Sequence, residues 1–240
     1  MNERSIDNTQ RFYARLAGCM YLANYVTALI GVMTPAWIRG SGDFADKAGR
    51  VLASEHLYRT ALASMAISWV IIVILAFALY VTLEPVNKRL AQVALFFELG
   101  QASVGAVTVI LSFAALRLYT AAQPPAPFPS DQLQALVKII GSAADSGFNI
   151  AMTFFALGSA LFFSLFYTSR YIPRALAALG VFGSVLMALV SLAMLVFPEF
   201  TRALQYGWAP IGIAEVATAL WLVIVGIRPP PVVGDVPAPA

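Results

Sequence analysis

The sequence predicts an all-α protein, a polytopic membrane helical bundle of about six transmembrane helices with short interfacial helices, and three observations carry that prediction. Of the 240 residues, 60% are hydrophobic and only 11% are charged, against roughly 25% charged in a soluble domain. Mean hydropathy is +0.79. The apolar residues fall in uninterrupted runs of about 20, the length that crosses hydrocarbon.

The residues 1–10 form a polar N-terminal segment, and 11–227 read as one six-helix membrane domain. The first span covers about 11–33 and ends at the cluster of Pro35, Arg39, Gly40 and Gly42, since proline and glycine punctuate helices. It has no small-residue cleavage pattern before Pro35, so it reads as a retained helix and not as a signal peptide. The stretch from Phe44 to Leu57 mixes Phe44, Val51, Leu52 and Leu57 with Asp46, Lys47, Arg50 and Glu55, which suits a short amphipathic helix lying on the membrane.

The second span, about 57–83, closes at Glu84-Pro85, because the residue before proline disfavours helical geometry. The third, about 88–118, follows so tight a turn that the two must be antiparallel neighbours. The prolines within Gln123 to Pro129 exclude regular helix there. Beyond that loop, Leu133, Leu136, Val137 and Ile140 recur at helical spacing ahead of an apolar fourth span of about 144–167. The fifth covers about 174–197 and stops at Pro198, and the sixth covers about 210–227. Residues 228–240 are Pro-rich and predict a disordered tail.

The net charge of +3 comes from fifteen Lys and Arg scattered over every loop. They form no basic stripe, which argues against nucleic acid and for topology signals. With both termini inside, eight of the fifteen (Arg4, Arg11, Arg15, Lys88, Arg89, Arg170, Arg174 and Arg228) are cytoplasmic, and the two shortest inner loops are the densest in cations. The expected location is therefore a bacterial inner membrane with cytoplasmic termini.

Several motifs together carry a family resemblance: Arg15-Leu-Ala-Gly18 with Tyr21-Leu22, Ala53-Ser-Glu-His-Leu-Tyr-Arg59, Leu79-Tyr80 followed by Glu84-Pro-Val-Asn87, Tyr171-Ile-Pro-Arg174, and Glu215 with Leu220-Trp-Leu222. The chain resembles an uncharacterised bacterial integral membrane family catalogued as domain of unknown function 4386, over nearly its whole length to Gly226. The resemblance implies a six-helix inner-membrane protein and carries no activity.

Ionisable groups cost roughly 2.5 to 3.5 kcal/mol each within hydrocarbon, so they face the bundle interior and mark function by default. Glu98, Asp145 and Glu215 are the acids inside spans. Glu98, about 15 Å along its helix from Lys88, shares a face with Gln101 and Gly105. Asp145 and Asn149 are four apart on one face. Arg59, Arg117, Glu55 and His56 fall towards the same side, where the two arginines could neutralise the acids by charge-assisted hydrogen bonds.

These residues define an expected outward-facing polar pocket of Arg59, Glu98, Gln101, Arg117, Asn149 and Glu215, with Glu55, His56 and Asp145 in secondary places. One histidine cannot supply the two or three imidazoles of a catalytic zinc site, and nothing in the sequence calls for a cofactor. No GxxxxGK, HExxH or GxSxG motif is present, so no familiar enzyme class is indicated. The single cysteine, Cys19, excludes a disulfide within the chain.

The expected function is binding of a small ligand or lipid. The alternatives are proton- or ion-coupled transport through Glu98 and Glu215, or a structural or assembly role in a larger membrane complex. The expected partners are membrane lipids, and either a second copy of the chain or other subunits of such a complex. Transport needs polar lining on both sides of the midplane, and a binding pocket needs it on one side only.

Overall fold

Among the residues described, 7–122 and 128–228, the computed structural model is helical with no strand. All but the first residue of the expected tail of 228–240, most of the proline loop and residues 1–6 lie outside them.

Helix α1 runs Asn8–Arg39, opened by Asp7, whose side chain accepts from the Gln10 amide at 2.6 Å. It does not end at 33, because Pro35 sits inside it. Proline removes one donor only, and the ladder resumes with the Gly40 amide donating to the Ala36 carbonyl at 3.1 Å. Termination falls to Gly40, at φ 54°, a conformation a side chain disfavours.

Helix α2 is Phe44–Ala53, and α3 follows as Glu55–Leu83. Helix α4, Lys88–Thr120, is capped by Asn87, whose side chain accepts from the Leu90 amide at 3.1 Å. Helix α5 is one continuous rod, Ser130–Ser169, of 40 residues. At 1.5 Å per residue it is about 60 Å long, beyond the roughly 40–45 Å of a whole bilayer. The periodic stretch 133–140 is therefore its first turns and not a separate element.

Helix α6 is Arg174–Val196. Two 3₁₀ turns, Pro198–Phe200 and Gln205–Trp208, flank the four-residue α7, Thr201–Leu204, before α8, Ala209–Ile224.

The six long helices form a closed ring in chain order, each packed on its sequence neighbours, with α8 returning to α1. Among the described residues, six segments are long and apolar enough to cross a membrane. Their outward surface is a belt of large apolar side chains, among them Ile67, Val70, Phe96, Ile110, Leu189 and Ile213, each more than half exposed. Such a continuous apolar surface is incompatible with water and matches lipid.

The two ends of the ring differ. At the end carrying the α3–α4 and α5–α6 turns, the Gln10 side-chain amide donates to the Thr82 carbonyl at 2.8 Å and to the Tyr171 hydroxyl at 3.0 Å. At the other end a second core joins Ile38, Phe44, Val51, Tyr58, Leu116, Tyr119 and Leu133. The apolar face of α2 is thus packed on protein, with the Phe44 and Tyr119 rings stacked at 5.6 Å, rather than laid on lipid as its amphipathic pattern suggested.

Candidate functional site

The interior of the ring holds a chamber of about 270 Å³ to which all six long helices contribute. From α1 come Asn24, Tyr25, Ala28 and Val32, from α3 Met65, Ser68, Trp69 and Ile72, and from α4 Gln101. Phe148, Met152 and Phe155 come from α5, Met187 from α6, and Ile211, Gly212 and Glu215 from α8, with Trp208 just before it. A smaller cavity of about 30 Å³ adjoins its base, large enough for roughly two water molecules. It shares Asn24, Ile72, Gln101, Phe155 and Glu215 with the chamber and adds Tyr21, Glu98 and Ser159.

Glu98 and Glu215 therefore reach one space from α4 and α8, and they are 6% and 7% exposed. The Tyr25 hydroxyl donates to Glu215 Oε2 at 2.9 Å. The Ser68 hydroxyl donates to Asn24 Oδ1 at 2.5 Å, joining α3 to α1. Gln101 is 3% exposed, and its Oε1 has no hydrogen-bond partner among the described residues. The same holds for the indole N–H groups of Trp69 and Trp208. A buried polar group left unmatched costs about 1–3 kcal/mol, so three in one chamber lining are an uncompensated cost.

Two glycines shape the site. A Cβ on Gly105 would lie 2.5 Å from the Trp69 ring, so the missing side chain lets the indole lie flat against α4. A Cβ on Gly158 would lie 2.7 Å from Glu98 Oε1, so the Glu98 carboxyl rests directly on the α5 backbone. Trp69, Phe148 and Trp208 continue as an aromatic wall, with centroid separations of 6.4 and 5.9 Å.

The chamber is closed on one side. Towards the α3–α4 turn the ring is filled by Leu79, Leu83, Ala91, Ala94, Phe162, Phe163 and Phe166, each at most 2% exposed. The lining residues Val32, Met65 and Trp208 lie towards the opposite end, the one that carries α2.

Of the residues expected to converge, the structure brings together Glu98, Gln101 and Glu215. Arg59 does not join them. Its guanidinium pairs with Glu55 one turn earlier on the same helix, at 2.6 Å, and it starts roughly 20 Å along α3 from Ile72. Arg117 is exposed in the last turn of α4, roughly 28 Å along the axis from Glu98, too far for any arginine to reach. His56 and Asp145 are exposed, and Asn149 is half-buried but does not line the chamber. Among the described residues, no Lys, Arg or His lines either cavity.

Sequence reasoning did not single out Tyr21, Asn24, Tyr25, Ser68 or Ser159 as site residues. A signal existed: Tyr21, Asn24 and Tyr25 stand at i, i+3 and i+4, one polar stripe on an otherwise apolar helix.

The six apolar spans and their lipid-matching outer belt define a six-helix integral membrane protein. The chain belongs to the family described as Domain of unknown function (DUF4386), whose model matches residues 16–226. No curated protein and no solved structure matches it.

Proposed function

We propose that this protein binds a small ligand in the chamber, entering from the end of the bundle that carries α2. The observation that carries this reading is the convergence of Glu98, Gln101 and Glu215 on the small cavity at the base of a chamber built by the whole ring, a chamber that Gln101 and Glu215 also line. A bundle held together only by polar pairs would match its buried groups to one another, whereas Gln101 and Glu215 line a space of about 270 Å³, close to the size of a small-ligand pocket.

Transport coupled to protons or ions is the second reading, and the meeting of two acids from separate helices favours it. The packed floor from Leu79 to Phe166 counts against it, because a pathway to the other side would have to part seven buried side chains. The density of cations in the α3–α4 and α5–α6 turns supports an orientation with those turns and the chain termini on the cytoplasmic side of a bacterial inner membrane. The chamber then faces outwards.

Gly212 provides the test. It lines the chamber, and a Cβ there meets nothing nearer than the Tyr25 hydroxyl at 3.9 Å, so Gly212→Leu fills the cavity without a backbone clash. Lipid extracts and metabolite pools are screened by thermal shift of the purified protein. A ligand that stabilises wild type and leaves Gly212→Leu unmoved supports the reading. Equal stabilisation of both proteins places binding elsewhere and overturns it.

A further inference from the structure

We infer that the ligand of the chamber is a small organic cation, a protonated amine or quaternary ammonium bearing an apolar body; this rests on the reading of the chamber as a ligand site.

The charge pattern comes first. Two carboxyl groups, Glu98 and Glu215, reach one space, the small cavity at the chamber base, and among the described residues neither cavity is lined by a Lys, Arg or His. A buried carboxylate with no cation beside it is expensive, and the two arginines that might have matched these acids are held at the α2 end, far along their helices. The compensating charge must then come from outside the chain. A bound monocation matches one carboxylate while the other carries a proton, and protons neutralise both when the site is empty.

The second observation is independent of the acids. Gln101 is 97% buried and lines both cavities, and its Oε1 has no donor among the described residues. It is an acceptor awaiting an N–H group or the positive edge of an ammonium. An anionic ligand in the chamber would meet Glu215, with Glu98 behind it in the adjoining cavity, and no cation from the lining to offset them.

The walls complete the argument. Above the acids the lining is aromatic, with Tyr25, Trp69, Phe148 and Trp208, and ring faces attract ammonium groups electrostatically while also covering an apolar body. An apolar cavity of about 150 Å³ takes one benzene, so about 270 Å³ accommodates by proportion roughly eleven non-hydrogen atoms. An inorganic cation would leave most of that space unfilled.

The experiment uses two probes of one shape, benzyltrimethylammonium and neopentylbenzene, in which a carbon replaces the ammonium nitrogen. Binding to the full-length protein in detergent is read from tryptophan fluorescence, since Trp69 and Trp208 line the chamber, and is referenced to protein-free micelles. Wild type is expected to bind the cation at least tenfold more tightly than the neutral probe. Glu215→Gln and Glu98→Gln are expected to lose most of that preference, and Gly212→Leu to lose both probes.

Equal affinity for the two probes overturns the cation inference and leaves the ligand site standing. Preference retained in both glutamine variants also overturns it, because the charge would be recognised elsewhere. Binding of neither probe to wild type at millimolar concentration overturns the cation inference and withdraws support from the chamber as a site for ligands of this size. The comparison within wild type decides the charge question even if a glutamine variant fails to fold.

Discussion

The hydroxyl of Tyr25 on α1 donates to the carboxyl of Glu215 on α8 at 2.9 Å, which places the helix that opens the ring and the helix that closes it in one hydrogen bond at the chamber base. Tyr25→Phe keeps the ring and deletes only this donor. The expected cost is about 1 kcal/mol of stability, measured as the shift in a denaturant midpoint in detergent. In a double-mutant cycle the loss should vanish against a Glu215→Met background. Full additivity of the two losses would show that the bond contributes nothing.

Gly105 makes a steric prediction. The indole of Trp69 occupies the place of its Cβ, so Gly105→Ala must push the ring into the chamber. Overpacking of this kind costs about 1–3 kcal/mol, and the displaced indole should shift the fluorescence maximum. Gly141 is the control, because nothing lies within 4 Å of a Cβ built there. Gly141→Ala lies within α5 and should be neutral or stabilising by up to about 1 kcal/mol. A midpoint unchanged in Gly105→Ala would remove the close packing of Trp69 on α4.

The spans were legible in the sequence because crossing hydrocarbon is a requirement on length and composition along one dimension. Which face of each span looks inwards was not. A helix apolar on all sides carries no moment to orient it, so Tyr25 and Asn24 could be read as interface or packing residues. Glu98, Gln101 and Glu215 were found because a polar group in lipid is costly wherever it points. The arginines misled because charge complementarity was sought across helices, while Glu55 satisfied Arg59 within its own turn. The amphipathic face of α2 read as membrane-seeking for a similar reason, since Phe44, Ala48 and Val51 would look the same whether they met lipid or the side chains of α4.

Val51 distinguishes those two fates of α2. It is fully buried in the core that α2 builds with Ile38, Tyr58, Leu116 and Leu133. Val51→Asp would bury an unpaired carboxylate there, and the helix should release sooner than pay the cost of desolvation. Hydrogen exchange is expected to rise across 44–53 while the spanning portions of α3 and α4 keep their protection. If exchange in 44–53 stays slow, α2 is held by something other than this packing, and the lipid surface is the alternative.

The direction in which the chamber opens can be tested with the one native thiol as an internal control. Cys19 is exposed on α1, roughly 16 Å along the helix from Asn8, so in the bilayer it faces lipid. It should react with a membrane-permeant maleimide and resist a charged one. In a Cys19→Ser background, Thr9→Cys and Ser41→Cys report the two ends of the same helix, since both positions are exposed and flank the span. With the termini in the cytoplasm, a charged maleimide added to spheroplasts should label Ser41→Cys and spare Thr9→Cys until the membrane is permeabilised. The reverse pattern would invert the bundle and make the chamber accessible from the cytoplasm. That outcome would move the search for its ligand to the intracellular pool while leaving the geometry of Glu98, Gln101 and Glu215 untouched.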